Sequence, residues 1–90
     1  MELTKHILIK GKVQGVFYRV TAKDAGTALG IKGWIKNTAD GHVEACISGK
    51  EEAIESFINW CWKGPKDAEV IDIEIKESDY QSFSRFEILR

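Results

Sequence analysis

The apolar residues of this chain recur first at every second position and then at every third or fourth, and these two periods take turns to the end. Few architectures admit that order. From Leu3 to Lys12, Ile7, Ile9 and Gly11 face one way and His6, Lys10 and Lys12 the other, the period of a half-buried strand, with Leu8 breaking the polar face. A turn follows over Val13–Phe17 and contains Gly15. From Tyr18 the spacing changes: Tyr18, Ala22, Ala25 and Leu29 form one helical stripe, and Gly30 stands where helices commonly end in a left-handed residue. Two strand-like runs come next, Ile31–Asn37 and His42–Ser48, joined by Thr38-Ala39-Asp40-Gly41, whose Asp-Gly pair is a hairpin signal.

Ser48 followed by Glu51 fits a capping box, which predicts a helix that buries Ile54, Phe57, Ile58 and Cys61 and stops at Gly64-Pro65. Val70–Lys76 then alternates Ile71, Ile73 and Ile75 against Asp72, Glu74 and Lys76. A last run, Phe83–Leu89, sets Phe86 and Ile88 against Glu87. The order β-α-β-β-α-β with a short extra C-terminal strand predicts an α+β fold, the ferredoxin-like plait: a mainly antiparallel sheet with both helices on one face. Ninety residues without repeat or linker make a single domain, 1–90. Such a plait hosts many unrelated activities, so function has to come from a site.

Charge and composition exclude several function classes. Thirteen Lys and Arg are scattered among fourteen Asp and Glu, so no basic block exists to neutralise a nucleic-acid backbone. RNA binding through the sheet would need an aromatic and basic signature, whereas the third strand offers His42, Glu44, Cys46 and Ser48 outward. A metallochaperone plait would carry CxxC after its first strand; here that place reads Val13-Gln14-Gly15-Val16. His6 and His42 lack metal-ligand spacing and are expected on the surface, and no Ser-His-Asp, Cys-His or Walker-type arrangement occurs. No cofactor or metal is therefore expected. Cys46, on the polar phase of its strand, and Cys61, on a helical core stripe, read as reduced structural thiols of a cytoplasmic protein. No signal peptide is visible, and no apolar run approaches a membrane span. A near-neutral surface suits a monomer. Trp34 is expected to cover the open side of the sheet, Trp60 to be partly exposed, and Trp62 to flank its helix stripe.

The chemistry concentrates in Gly11-Lys12-Val13-Gln14-Gly15-Val16-Phe17-Tyr18-Arg19. A turn running into a helix presents N–H groups without intrachain partners at the positive end of the helix dipole, a ready anion site. Gly15 lets successive N–H groups point inward. Arg19 in the first turn opposes the dipole, a conflict that a bound phosphate removes, because the guanidinium fork and the N–H groups then clamp one tetrahedral anion. Alone, Arg19 would be an ordinary solvated arginine and Gly15 an ordinary turn; their joint placement points to an anion site.

Gly11-x-Val13-Gln14-Gly15-Val16-x-x-Arg19 resembles the signature loop of the acylphosphatase family, and Gly33-Trp34-Ile35-x-Asn37 with Asp40-Gly41 resembles its second motif. Leu29-Gly30, the second helix with Trp60, Gly64-Pro65 and Phe83-x-x-Phe86-x-Ile88 carry the likeness along the whole chain. One departure is Tyr18, where the family more often has Phe; its hydroxyl could add a contact. The resemblance implies that Arg19 binds phosphate, that Asn37 holds the attacking water, and that the backbone of Gln14, Gly15, Val16, Phe17, Tyr18 and Arg19 completes the cradle. Asn37 by itself reads only as a turn-forming residue beside the hairpin. The activity implied is metal-free hydrolysis of small acyl phosphates to carboxylate and inorganic phosphate. The family also includes domains fused to carbamoyl-transferring maturation proteins, so the alternative is a non-catalytic anion- or acyl-phosphate-binding module of a larger assembly.

Overall fold

A computed structural model describes residues 1–90. Its elements run β1 (Glu2–Lys12), α1 (Tyr18–Ala28), β2 (Lys32–Asn37), β3 (Val43–Lys50), α2 (Glu51–Lys63), β4 (Glu69–Ser78) and β5 (Phe86–Ile88). The sheet order is β4-β1-β3-β2-β5, antiparallel throughout except for the pairing of β5 with β2. This is the expected ferredoxin-like plait with its short extra strand. The long central strands β1 and β3 put Ile7, Ile9, Val43, Ala45 and Ile47 on the face that both helices cover. Ile35 and Ile73 extend that face, while Tyr18, Ala22, Ile54, Phe57 and Cys61 meet it from the helices. Phe57 is wholly buried and packs edge-on against Phe86 at 5.6 Å; truncation of a side chain so placed to Ala typically costs roughly 3–5 kcal/mol.

Several sequence expectations fail locally. Leu29 is exposed, and the buried member of the stripe in that turn is Gly26. A Cβ on Gly26 would lie 2.4 Å from the Phe86 ring, so α1 approaches the core at a distance only glycine allows. Ser48 does not cap α2. Strand β3 continues to Lys50, which is the N-cap residue and makes no side-chain cap; the Ser48 hydroxyl instead meets Thr4 Oγ1 at 2.6 Å and donates to the Gln81 carbonyl at 2.7 Å. These bonds tie the segment after β4 across the open face of the sheet, which is why Thr4 and Ser48 are buried there. Cys46 also lies on that face yet is buried, beside Trp34 and His6 in the register. In β4 the alternation is interrupted by a register shift opposite Lys10 and Gly11, leaving Ile71 74% exposed and only Ile73 fully committed to the core. Trp34 does cover the open face, half-buried with Lys36 Nζ 5.4 Å over its ring. Trp60 is half-buried against Tyr18 and Phe57, and Trp62 is exposed.

Candidate active site

The loop between β1 and α1 hangs from two buried side chains, Val13 and Val16, which hold it against the core. Gly15 has φ 74°, and Phe17, the residue that caps α1, has φ 61° and ψ 26°. Glycine takes up such a conformation freely, whereas for Phe it costs roughly 1–2 kcal/mol. Thr21 supports this strained residue: its N–H donates to the Phe17 carbonyl at 3.1 Å, and its hydroxyl donates to the same oxygen. No N–H of residues 14–17 donates to another backbone group, and Tyr18, Arg19 and Val20 open the helix, where no intrahelical acceptor exists. No acidic residue occupies the first turn of α1. These amides therefore have no backbone acceptor and no carboxylate in the first turn of their own helix to satisfy them.

Arg19 is half-buried and takes part in no ion pair. Its Nη1 makes one long bond, 3.4 Å, to the Leu89 carbonyl next to the C-terminal residue, which leaves most of the guanidinium fork available. Asn37, the last residue of β2, shares with Arg19 a cavity of about 350 Å³, also walled by Gln14, Gly15, Phe17 and Val20. The Asn37 Oδ1 is buried and has no hydrogen-bond partner. A buried amide oxygen left unpaired costs roughly 1–3 kcal/mol, so the fold carries a penalty at this cavity that a held water would offset. A larger hollow of about 530 Å³ lies between α1 and β5 among Lys23, Lys32 and Arg85, and it contains none of these groups. Size and chemistry disagree here, and chemistry favours the smaller cavity.

Two residues do something the sequence did not reveal. The Gln14 side chain donates from Nε2 to the Thr38 carbonyl at 2.9 Å and the His42 carbonyl at 2.8 Å. Thr38 and His42 also close the β2–β3 hairpin through Thr38 N–H to His42 O at 2.9 Å. Gln14 thus fastens the β1–α1 loop to the hairpin that begins right after Asn37, and only this long-range pairing could have disclosed it. Val20 was missed as a cavity residue; its one available signal was an apolar side chain off the Tyr18–Ala22 stripe.

Some expectations need correction. Tyr18 does not offer its hydroxyl to a ligand: the ring is buried in the core, and the hydroxyl donates to the Cys61 carbonyl at 2.6 Å. Burial holds that phenol protonated well above its ordinary 10.0. Tyr18 and Val16 can therefore serve the site only through their backbone. His42 is half-buried on the hairpin, with Nδ1 unpartnered, and not a free surface residue. His6 sits on the open face of the sheet, with its Nε2 2.5 Å from Glu44 Oε2. Neither histidine joins a cluster of three or more metal-type ligands. At the hairpin tip, a hydrogen bond from the Thr38 hydroxyl holds the Asp40 carboxyl below its ordinary 3.8 and stiffens the turn. The two thiols are unpaired and buried, and burial pushes Cys61 up to about 12.

With this geometry in view, a family model described as Acylphosphatase matches residues 5–88. An acylphosphatase of Pelotomaculum thermopropionicum is 44% identical over 84 residues, covering 92% of this chain and 91% of that protein. Among solved structures, the acylphosphatase of Bacillus subtilis superimposes with a TM-score of 0.95 at 33% identity over the full length of both chains. That of Coxiella burnetii gives 0.94 at 33% identity, covering 98% of this chain and 93% of that one.

Proposed function

This chain belongs to the acylphosphatase family and hydrolyses acyl phosphates, and on that premise we propose that Arg19, Asn37 and the open amides of residues 14–19 are its catalytic machinery. The observation that carries this reading is a single cavity walled by an unpaired guanidinium, a run of unbonded amides and a carboxamide whose oxygen lacks a partner. The phosphoryl oxygens lie in the amide cradle with the Arg19 fork across them, which neutralises charge as the transition state forms. Asn37 holds a water in line with the phosphorus. The water oxygen bonds to phosphorus as the bond from phosphorus to the acyl oxygen breaks; the leaving carboxylate takes that electron pair, and a phosphoryl oxygen accepts the water's proton. A carboxylate leaving group has a pKa of about 4, so it departs without a general acid. Charge stabilisation and water placement are the whole task, which requires neither a metal nor a cofactor.

The same reading makes residues 1–90 one acylphosphatase domain that works as a monomer on a small acyl phosphate, releases inorganic phosphate and engages no nucleic acid. A net charge of −1 without a basic block supports the last point. Two free, buried thiols suit a reducing, cytoplasmic setting. No helix is long and apolar enough to cross a membrane. The relatives lend no support to the alternative of a non-catalytic binding module. The test is hydrolysis of an aromatic acyl phosphate by the purified chain in excess EDTA, beside Arg19→Ala. Turnover that resists the chelator, is competitively inhibited by phosphate and disappears in Arg19→Ala is expected. Turnover abolished by EDTA, or retained in Arg19→Ala, would overturn the proposed machinery.

A further inference from the structure

Phosphate recognition leaves half of the substrate unaccounted for. An acyl phosphate enters the cradle phosphate first, so its carbonyl and acyl body project toward the cavity mouth. In-line attack requires that body to be held on the side opposite the water, or the leaving oxygen swings off axis. The cavity's side chains divide clearly on this point. Val13 and Tyr18 are spent in the core, Gln14 is bonded to the hairpin, and Arg19 and Asn37 have polar roles. Two apolar side chains remain uncommitted: Phe17, 81% exposed, and Val20, 53% exposed. Phe17 precedes the first residue of α1 and Val20 lies in its first turn, and both line the same cavity as Arg19 and Asn37.

Phe17 is doubly unfavourable for stability alone. It exposes an aromatic ring to water, and it occupies a left-handed conformation that Gly or Asn would adopt at less cost. A bulky residue kept at such a place, on the rim of a cavity, points to a ligand that covers it. We propose, on the basis of the site assigned above, that Phe17 and Val20 form the acyl-binding wall of this enzyme and select acyl phosphates with an apolar body, aromatic acyl groups over short ones such as acetyl. Apolar area is removed from water at the wall while the phosphate stays in the amide cradle, so selection at the wall is separable from phosphate affinity.

The experiment compares kcat/KM for benzoyl phosphate and acetyl phosphate in the wild-type chain, Val20→Thr and Phe17→Asn, with competitive inhibition by inorganic phosphate measured alongside. Taking the ratio within each protein removes the intrinsic reactivity of the two anhydrides. Val20→Thr keeps the shape and adds a hydroxyl, and Phe17→Asn keeps the backbone conformation while removing the ring. Each variant should lower the benzoyl-to-acetyl ratio by roughly 5–10-fold, with phosphate inhibition unchanged in Val20→Thr. An unchanged ratio would overturn the wall, and so would parallel weakening of both substrates and phosphate in Val20→Thr, since that places the effect in the cradle. If phosphate inhibits Arg19→Ala as strongly as the wild type, the cradle itself fails and the wall falls with it, an outcome distinct from an unchanged ratio.

Discussion

The fold contains two junctions where a strand runs into a helix on the same face of the sheet, and they are built in opposite ways. At the second, β3 passes directly into α2 at Lys50–Glu51, and the first turn carries Glu51 and Glu52. Those carboxylates complement the dipole of a helix that no side chain caps. At the first, five residues separate β1 from α1, Gly15 and Phe17 turn left-handed, and the first turn holds Arg19 in place of an acid. Both are helix N-termini. Only the first keeps carboxylates out of its opening turn, brings a cation to it and shares a cavity with an unpartnered carboxamide. The anion site proposed at the first junction thus rests on more than a helix dipole: the carboxylates that would otherwise occupy the same ground are withheld.

The contrast can be broken most severely at Arg19. Arg19→Lys should lower turnover of an acyl phosphate by roughly 10²–10³ in steady-state assays, because a point charge cannot replace a planar fork spanning two phosphoryl oxygens. Near-normal turnover in that variant would mean that bulk positive charge suffices. Next comes conversion of the first junction into a copy of the second. Val20→Glu should weaken inhibition by inorganic phosphate, which does not reach the acyl wall, by roughly 10–100-fold, while thermal denaturation shifts up by about 1–4 °C as the dipole gains a carboxylate. Loss of affinity and gain of stability in the same variant would be hard to obtain unless the open N-terminus is kept for a ligand.

Gln14→Leu sharpens the contrast by releasing the loop from the hairpin while leaving every cradle amide in place. It should cost roughly 10-fold in kcat with little change in phosphate inhibition, since what is lost is the alignment of Asn37 with the cradle. A drop in phosphate affinity of the same size would instead make Gln14 part of the cradle. The two junctions also meet in the core, where the first residue of α1 bonds to the last turns of α2 through Tyr18 and Cys61. Burial raises both groups above their ordinary 10.0 and 9.0, so the folded chain holds these protons more tightly than the unfolded chain. The stability they contribute is complete below about pH 9 and is lost as pH rises toward 12. Unfolding midpoints should be flat near neutrality and fall above pH 9, and Cys61→Val should make that fall shallower. The smallest effect belongs to the second junction: Glu51→Gln with Glu52→Gln should cost a few tenths of a kcal/mol in denaturant titration and leave kcat/KM unchanged.

The amino-acid sequence determined the order and type of every element, because strand and helix periods are local and survive the loss of all long-range information. It also determined that Arg19 sits at a helix start beside Gly15, since a position relative to a turn is local too. The role proposed for Asn37 was legible only through likeness to a family, for nothing in its neighbours distinguishes a water-holding carboxamide from a turn residue. Only the tertiary structure decided the rest, and each instance turns on a partner far along the chain. Ser48 is a cap by its spacing but a clasp by its contact with Thr4 and Gln81. Gly26 is a poor helix residue until Phe86 arrives beside it. The Tyr18 hydroxyl is a contact without a named partner in the one-dimensional reading and a donor to the Cys61 carbonyl in the fold. Gln14 becomes a fastening only once β3 has returned to lie against β1 and the hairpin carbonyls come within reach. Periodicity records which face of its own element a residue occupies; what stands opposite that face is decided when the elements pack, and at this site the packing is what brings Arg19 and Asn37 to one cavity.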